Sequence, residues 1–215
     1  MTARVVIVED HALLAQSLGL ALRAEGLTVE IAQLDSRERL LAQVAAGPPA
    51  LVLLDLDLGR RLGDGTDLIG PLVDAGNVVL VVSGIADRYR LAATVEAGAV
   101  GFVHKSAPFE TLLDRALVAA AGQPVLAPGE RDDLLTELRR YRSEQARLLI
   151  PLQRLSERER NVLVALGEGK SVEAIARERF VSEATVRTQV RAVLTKLDVK
   201  SQLAAVAKAR TAGWL

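Results

Sequence analysis

The sequence predicts an α/β domain, a doubly wound five-stranded parallel sheet, followed by a small all-α domain. Three observations lead there. Over the first 125 residues, apolar runs alternate with stretches of helical periodicity. Four of those runs are apolar throughout, as strands buried on both faces of a parallel sheet must be. After Leu155 no strand pattern survives, and short helical patterns with polar starts take over.

The elements follow in order. Residues 5–8 (VVIV) form the first run, ending in Glu9 and Asp10, and a helical pattern spans 11–25. A weaker alternating run covers 27–34, with a helical pattern over 36–46. The third run, LVLL at 51–54, leads straight into Asp55, with Asp57 two positions on. A helical pattern at 66–75 precedes the run 78–82, which ends in Ser83 and Gly84. Another at 86–97 precedes the run 100–103, with Lys105 just beyond and a last pattern over 108–122. The segment QPVLAPG, 123–129, holds two prolines and a glycine and marks a boundary. A charged helical stretch over 130–150 follows, broken at Pro151. The expected divisions are a first domain at 1–124, a helical linker at 125–151 and a second domain at 152–215.

Composition narrows the function classes. The 215 residues include no cysteine, which excludes a disulfide scaffold and thiolate metal sites and fits a reducing compartment. Apolar stretches fall far short of the roughly 20 residues a membrane helix needs, and two acids follow the N-terminus too soon for a signal peptide. The expectation is a cytoplasmic protein with no membrane partner. Residues 1–126 carry 10 Lys and Arg against 15 Asp and Glu, whereas residues 127–215 carry 17 against 12. An acidic half joined to a basic half suggests different partners, nucleic acid among them for the basic one.

Ligands of open parallel sheets sit at the carboxyl ends of the strands. Reading those ends brings Glu9, Asp10, Asp55, Ser83 and Lys105 to one rim. Taken singly each has a plain explanation: an acid pair at a helix start, a turn serine, a solvated lysine. Together they form a phosphoryl-transfer set. Three close carboxylates call for a hard cation, and Mg²⁺ accepts a few carboxylates while keeping waters. Lys105 can pair with phosphoryl oxygens, Ser83 can hydrogen-bond one, and Asp55 would be the nucleophile.

The segments VVIVED, LVLLDLDLG, VVLVVSG and GFVHKSAPF together resemble the receiver domain of two-component response regulators, over about residues 3–122. The resemblance implies a flavodoxin-like fold with Asp55 as phosphoacceptor. It implies Mg²⁺ held by Glu9, Asp10, Asp55 and the Asp57 backbone carbonyl, and a sensor histidine kinase as partner. It also implies Ser83 and Phe102 as a switch pair, with an ordinary core aromatic as the plain reading of Phe102. The loop after Asp55, DLDLGRRLGDGTDLI, departs from the family: Leu58 and Gly59 replace the usual Met-Pro-like pair. If Gly65–Leu68 is the helix entry, the loop is two residues longer and carries Arg60 and Arg61. A competing reading takes Asp55-x-Asp57 as the opening of a haloacid-dehalogenase-type phosphatase. It ranks lower, because the acid pair precedes Asp55 and no strand ends in an acid after Lys105.

In the basic half, Ser156 with Glu159 reads as a capping box, and Ser171, Ser182 and Ser201 as N-caps. Ile175 and Ala176, a turn near 180–181, and a helix opened by Ser182 make a helix-turn-helix arrangement. Val186, Val190, Val193, Leu194 and Leu197 share the core side of that helix. Ala184, Arg187, Thr188, Arg191 and Thr195 form the opposite stripe, which suits a major groove but also a solvated face. LSERERNVLVALGEGKS, VSEATVRTQV and LTKLDVKSQLAAV resemble the LuxR-type DNA-binding domain, and the whole chain resembles the NarL/FixJ class of response regulators. That resemblance implies DNA contacts from Thr185, Arg187, Thr188, Gln189 and Arg191, and backbone contacts from Lys196 and Lys200. Gln189 stands where many relatives have His.

The resulting expectation is a transcription regulator, phosphorylated on Asp55, that forms a homodimer on activation and binds an operator in double-stranded DNA, with RNA polymerase a further partner. It would be no enzyme beyond slow self-phosphorylation and self-dephosphorylation. A phosphorylation-independent pseudo-receiver factor is the other alternative. Within 130–150, Leu134, Leu138, Tyr141, Gln145 and Leu148 alternate four-three-four, a coiled-coil seam or a stripe packed on the chain's own second domain.

Overall fold

The computed structural model describes residues 3–215, apart from the side chain of Arg60. The first two residues of the expected 1–124 domain, and the Arg60 side chain of the loop, lie outside what it describes. Strands β1 (Arg4–Val8), β2 (Thr28–Ile31), β3 (Leu51–Leu54), β4 (Val78–Ser83) and β5 (Gly101–His104) form one parallel sheet, ordered β2-β1-β3-β4-β5. The order reverses between β1 and β3, and that is where the two central strand ends, Glu9–Asp10 and Asp55, stand side by side.

Period-two alternation divides each strand between two cores. Val5, Ile7, Leu51, Leu53, Leu80 and Val82 pack with Ala15, Leu18 and Leu22 of α1 (Ala12–Ala24) and with Leu112 and Ala116 of α6 (Phe109–Ala120). On the opposite face Val6, Val8, Val52, Leu54, Val79 and Val81 meet α2 (Arg37–Ala45), α4 (Thr66–Asp74) and Leu91 of α5 (Arg88–Glu96). The doubly wound expectation holds. A short helix, α3 (Gly59–Leu62), stands inside the loop after Asp55, where no helical pattern was expected.

The charged helix does not break at Pro151. It runs as α7 (Glu130–Gln153) with Pro151 inside it. Proline removes one N–H donor, and in the last turn that leaves only a carbonyl near a helix end. The buried Leu152 and Leu155 hold the segment down beyond it. The chain divides into two compact units between Leu138 and Arg139, within the expected 125–151 linker. Val125 is buried in the sheet domain, and Leu134 and Leu138 pack against Ala92 and Val95 of α5.

In the second unit α8 (Glu157–Gly167), α9 (Val172–Glu178), α10 (Glu183–Leu197) and α11 (Gln202–Thr211) each begin at the expected serine. Ser156, Ser171, Ser182 and Ser201 accept from the backbone N–H three residues on, and Ser156 with Glu159 completes the capping box. Val186, Val190, Val193 and Leu197 are buried, as their spacing required.

Candidate functional site

The carboxyl end of the sheet assembles the first candidate site. Asp55 donates its backbone N–H to Val8 O at 2.9 Å, so the β1–β3 ladder carries it onto the rim. Its side chain is 1% exposed. Lys105 donates its backbone N–H to Ser83 O at 2.9 Å, which fixes the lysine beside the end of β4. The Lys105 ammonium lies 2.7 Å from Asp55 Oδ2 and 2.7 Å from Glu9 Oε1. Ser83 is buried, and its Oγ accepts from the Ile85 N–H at 3.1 Å. All five strand-end residues are therefore brought to one rim.

His11 joins them and was not singled out in the sequence. Its Nδ1 is 2.9 Å from Glu9 Oε1 and 2.8 Å from Asp10 Oδ1. Glu9, Asp10, His11 and Asp55 each present a ligand atom within 4.8 Å of the others, so the group could hold a metal ion. Its carboxylate oxygens are the hard donors that Mg²⁺ takes. Asp57 pairs with Asp64 in a two-residue antiparallel bridge, and its Oδ1 accepts from the Gly59 N–H at 3.4 Å.

Burial pushes the Asp55 carboxyl above the usual carboxylate range; the Lys105 hydrogen bond pulls it back and the Glu9 charge adds to the rise. Burial would lower Lys105, but its hydrogen bonds to Asp55 and Glu9 outweigh that and hold the ammonium above its ordinary value. The Glu9 hydrogen bond raises His11. Lys105 is thus held charged between the buried carboxyl groups of Asp55 and Glu9.

The atypical loop is pinned from two sides. Arg37 donates to Leu62 O at 2.9 Å, to Asp64 O at 3.1 Å and to Asp67 at 3.1 Å. Arg90, on α5, donates to Asp64 Oδ2 at 2.6 Å. A cleft of about 280 Å³ opens between this loop and the turn after β4, lined by Leu56, Asp57, Gly63, Asp64, Ile85 and Arg90. Gly65 closes the loop against Asp55: its N–H donates to Leu56 O at 2.8 Å, and a Cβ there would strike the Asp55 carbonyl oxygen. Phe102 is half-buried and packs both on the sheet core and on the cluster of Ala92, Val95, Leu134 and Leu138.

The second candidate site is the face of α10. Arg187, Thr188, Arg191 and Lys200 are exposed, Thr185 is exposed in the first turn, and Gln189 is half-buried. Arg187 pairs with Glu183 at 2.9 Å, an exposed i,i+4 pair that a phosphate or base edge can outcompete. Thr188 donates to Ala184 O at 2.9 Å, and Thr185 Oγ1 lies 2.8 Å from Ser182 Oγ. Lys196 is otherwise engaged. Its ammonium donates to Glu159 Oε2 at 2.6 Å and to Arg154 O at 3.2 Å, within the helical unit.

Residues 5–117 match the family model described as the response regulator receiver domain, and residues 153–209 match that of bacterial regulatory proteins of the luxR family. A probable transcriptional regulatory protein NarL of Mycobacterium tuberculosis is 30% identical over 96% of this chain and 93% of its own length. The nitrate/nitrite response regulator protein homolog of Haemophilus influenzae is 29% identical over 94% of this chain and 93% of its own. Among solved structures, RcsB from Salmonella enterica serovar Typhimurium, bound to a promoter in the presence of a phosphomimetic, shares the fold. It has a TM-score of 0.51 at 21% identity, covering 97% of this chain and 98% of that one. Neither the phosphatase nor the phosphorylation-independent alternative is favoured by these matches.

Proposed function

Because the chain belongs to the response-regulator family, as a NarL-type two-component regulator with a receiver and a LuxR-type DNA-binding domain, we propose that phosphorylation of Asp55 controls its dimerisation and its binding to operator DNA. A regulator of this kind is not a typical enzyme. We assign residues 1–124 to the receiver, 125–151 to the linker and 152–215 to the DNA-binding domain. A cytoplasmic location goes with a DNA partner. Among the described residues no helix is long and apolar enough to cross a membrane.

One observation carries the reading: the Lys105 ammonium bridges Asp55 and Glu9 at 2.7 Å each, at the rim where β1 and β3 end. An Asp55 carboxylate oxygen attacks phosphorus on the kinase's phosphohistidine; the P–O bond forms as the P–N bond breaks, and the imidazole leaves. Glu9, Asp10, Asp55 and the Asp57 backbone carbonyl would hold Mg²⁺, which would offset charge on the transferring group. Lys105 then exchanges part of its Asp55 contact for a phosphoryl oxygen. The Ser83 hydroxyl turns from the Ile85 N–H toward the new group, and Phe102 repacks under α5 and the first turns of α7. The same acceptor chemistry permits slow phosphorylation by small phosphodonors and slow hydrolysis.

On the DNA side, Thr185, Arg187, Thr188, Gln189 and Arg191 read bases from α10. Lys200 contacts the backbone, and Lys196 can do so only by leaving Glu159. RNA polymerase is the partner that a DNA-bound dimer would present itself to. The test is incubation with acetyl phosphate and Mg²⁺, read by intact mass. The expected result is one acid-stable, base-labile phosphoryl group on the parent and none on Asp55→Asn; the same gain on the variant defeats the reading.

A further inference from the structure

The turn between α9 and α10 contains the least expected backbone in the chain. Helix α9 ends in a Schellman motif: the Val181 N–H donates to Ala176 O at 3.0 Å and the Phe180 N–H to Arg177 O at 3.3 Å. The residue at the left-handed position of that motif is Phe180, with φ +55°. Among the described residues, six other helices close with glycine in that slot, at Gly26, Gly76, Gly98, Gly122, Gly169 and Gly213. Among the described residues the only other non-glycine with positive φ is Asp198, whose short polar side chain tolerates it. A bulky aromatic there costs backbone strain.

The ring recovers nothing by packing, because Phe180 is 96% exposed. Its conformation is strained and its apolar surface faces solvent, which together point to a partner. Its place in the fold says which. Phe180 lies two residues before Ser182, the N-cap of α10. In a helix-turn-helix the N-terminal turn of the second helix meets base edges, while the first helix crosses the backbone. A side chain on the turn between them projects beside the same groove. Cationic neighbours fit a polyanion: Arg177 and Arg179 precede it, and Arg187 and Arg191 follow on α10.

We propose that the Phe180 ring is itself a DNA contact, packed on sugar carbons and a thymine methyl at the flank of the major groove where α10 enters. The contact adds apolar, salt-insensitive affinity to the cationic stripe, and the strained backbone aims the ring. The inference rests on the reading of α9–α10 as the DNA-binding pair.

The test uses the full chain and a duplex that the parent protein recovers from a randomised library. Phe180→Gly relieves the strained slot and removes the ring. Its unfolding midpoint should equal or exceed the parent's, while affinity for the duplex falls about tenfold, as re-exposing half a phenyl ring predicts. The slope of affinity against salt should stay unchanged, since no phosphate contact is lost. Phe180→Tyr, which keeps the ring, should bind within about twofold of the parent. Parental affinity in Phe180→Gly, or a flatter salt slope, overturns the proposal. So does a variant that binds DNA normally but fails in reconstituted transcription, since the ring would then serve a protein. Arg187→Ala is the control: if it too binds as the parent does, α10 is not the reader, and the underlying assignment fails rather than Phe180 alone.

Discussion

Among the described residues, Lys105 is the one cation placed against two buried carboxylates, so its removal separates stability from signalling. Lys105→Ala removes the ammonium that stands between Asp55 and Glu9, which should cost the sheet domain about 3 kcal/mol. Mg²⁺ should recover much of that, so the variant's unfolding midpoint should climb more steeply with Mg²⁺ than the parent's. A midpoint indifferent to Mg²⁺ would remove the metal from this rim. The variant should still accept some phosphate from acetyl phosphate but should lose most of the proposed dimerisation. Glu9, Asp10, Asp55, Ser83 and Lys105 were legible because parallel strands deliver whatever follows their apolar runs to one rim. His11 was not, because a lone exposed histidine after an acid pair has no signal until both carboxylates turn toward it. Lys196 was expected at the DNA backbone because the LuxR-type resemblance implied it, and no sequence pattern announces that its ammonium reaches back to Glu159.

At the scale of elements, the capping box of α8 ties two helices together, since Glu159 accepts from the Ser156 N–H at 2.6 Å and from Lys196 at 2.6 Å. Burial alone would raise Glu159, but the Lys196 hydrogen bond and the Ser156 N–H outweigh it and hold the carboxyl below the usual range. A depressed folded value means the stabilisation is complete above the ordinary value near 4.5 and is lost as pH falls through the folded one. Glu159→Gln should therefore cost about 1 kcal/mol at neutral pH. The gap from the parent should persist down to that ordinary value and close below it. Trp214, the chain's single tryptophan, is half-buried against the core of this unit and reports its unfolding. A gap that widens on acidification would contradict the sign. The caps could be read in advance because serine and glutamate spacing is local chemistry. Helix α3 could not: GRRL has no apolar period, and its turn is held from outside by Arg37 on Leu62 O. The passage of α7 through Pro151 was equally hidden, because proline's penalty depends on how near the helix end lies.

For the molecule as a whole, the apolar stripe of α7 is the element through which the proposed phosphoryl group on Asp55 would reach assembly. The spacing of Leu134, Leu138, Tyr141, Gln145 and Leu148 suited a seam between two chains or a contact with the second domain. Leu134 and Leu138 are instead buried on α5, against Ala92 and Val95, with Phe102 in the same cluster. Sequence periodicity tells that a face is covered and not by what, which is why this partner was missed. The exposed Arg88–Glu137 pair adds little to the contact, so α7 is held to α5 by the two leucines together with Arg131, which donates to Val95 O at 3.0 Å. If the Phe102 ring repacks on phosphorylation, it alters the floor beneath them, and α7 is released in proportion. Leu138→Ala should mimic that release. It should destabilise the sheet domain by about 2–5 kcal/mol, the cost of a buried leucine truncation. It should also raise the fraction of dimer measured by sedimentation without phosphodonor, and narrow the further gain on adding acetyl phosphate. A variant that stays monomeric without phosphodonor and dimerises with parental affinity once phosphorylated would show that the α5–α7 contact does not restrain assembly. The dimer surface would then have to lie elsewhere on the receiver or on α11.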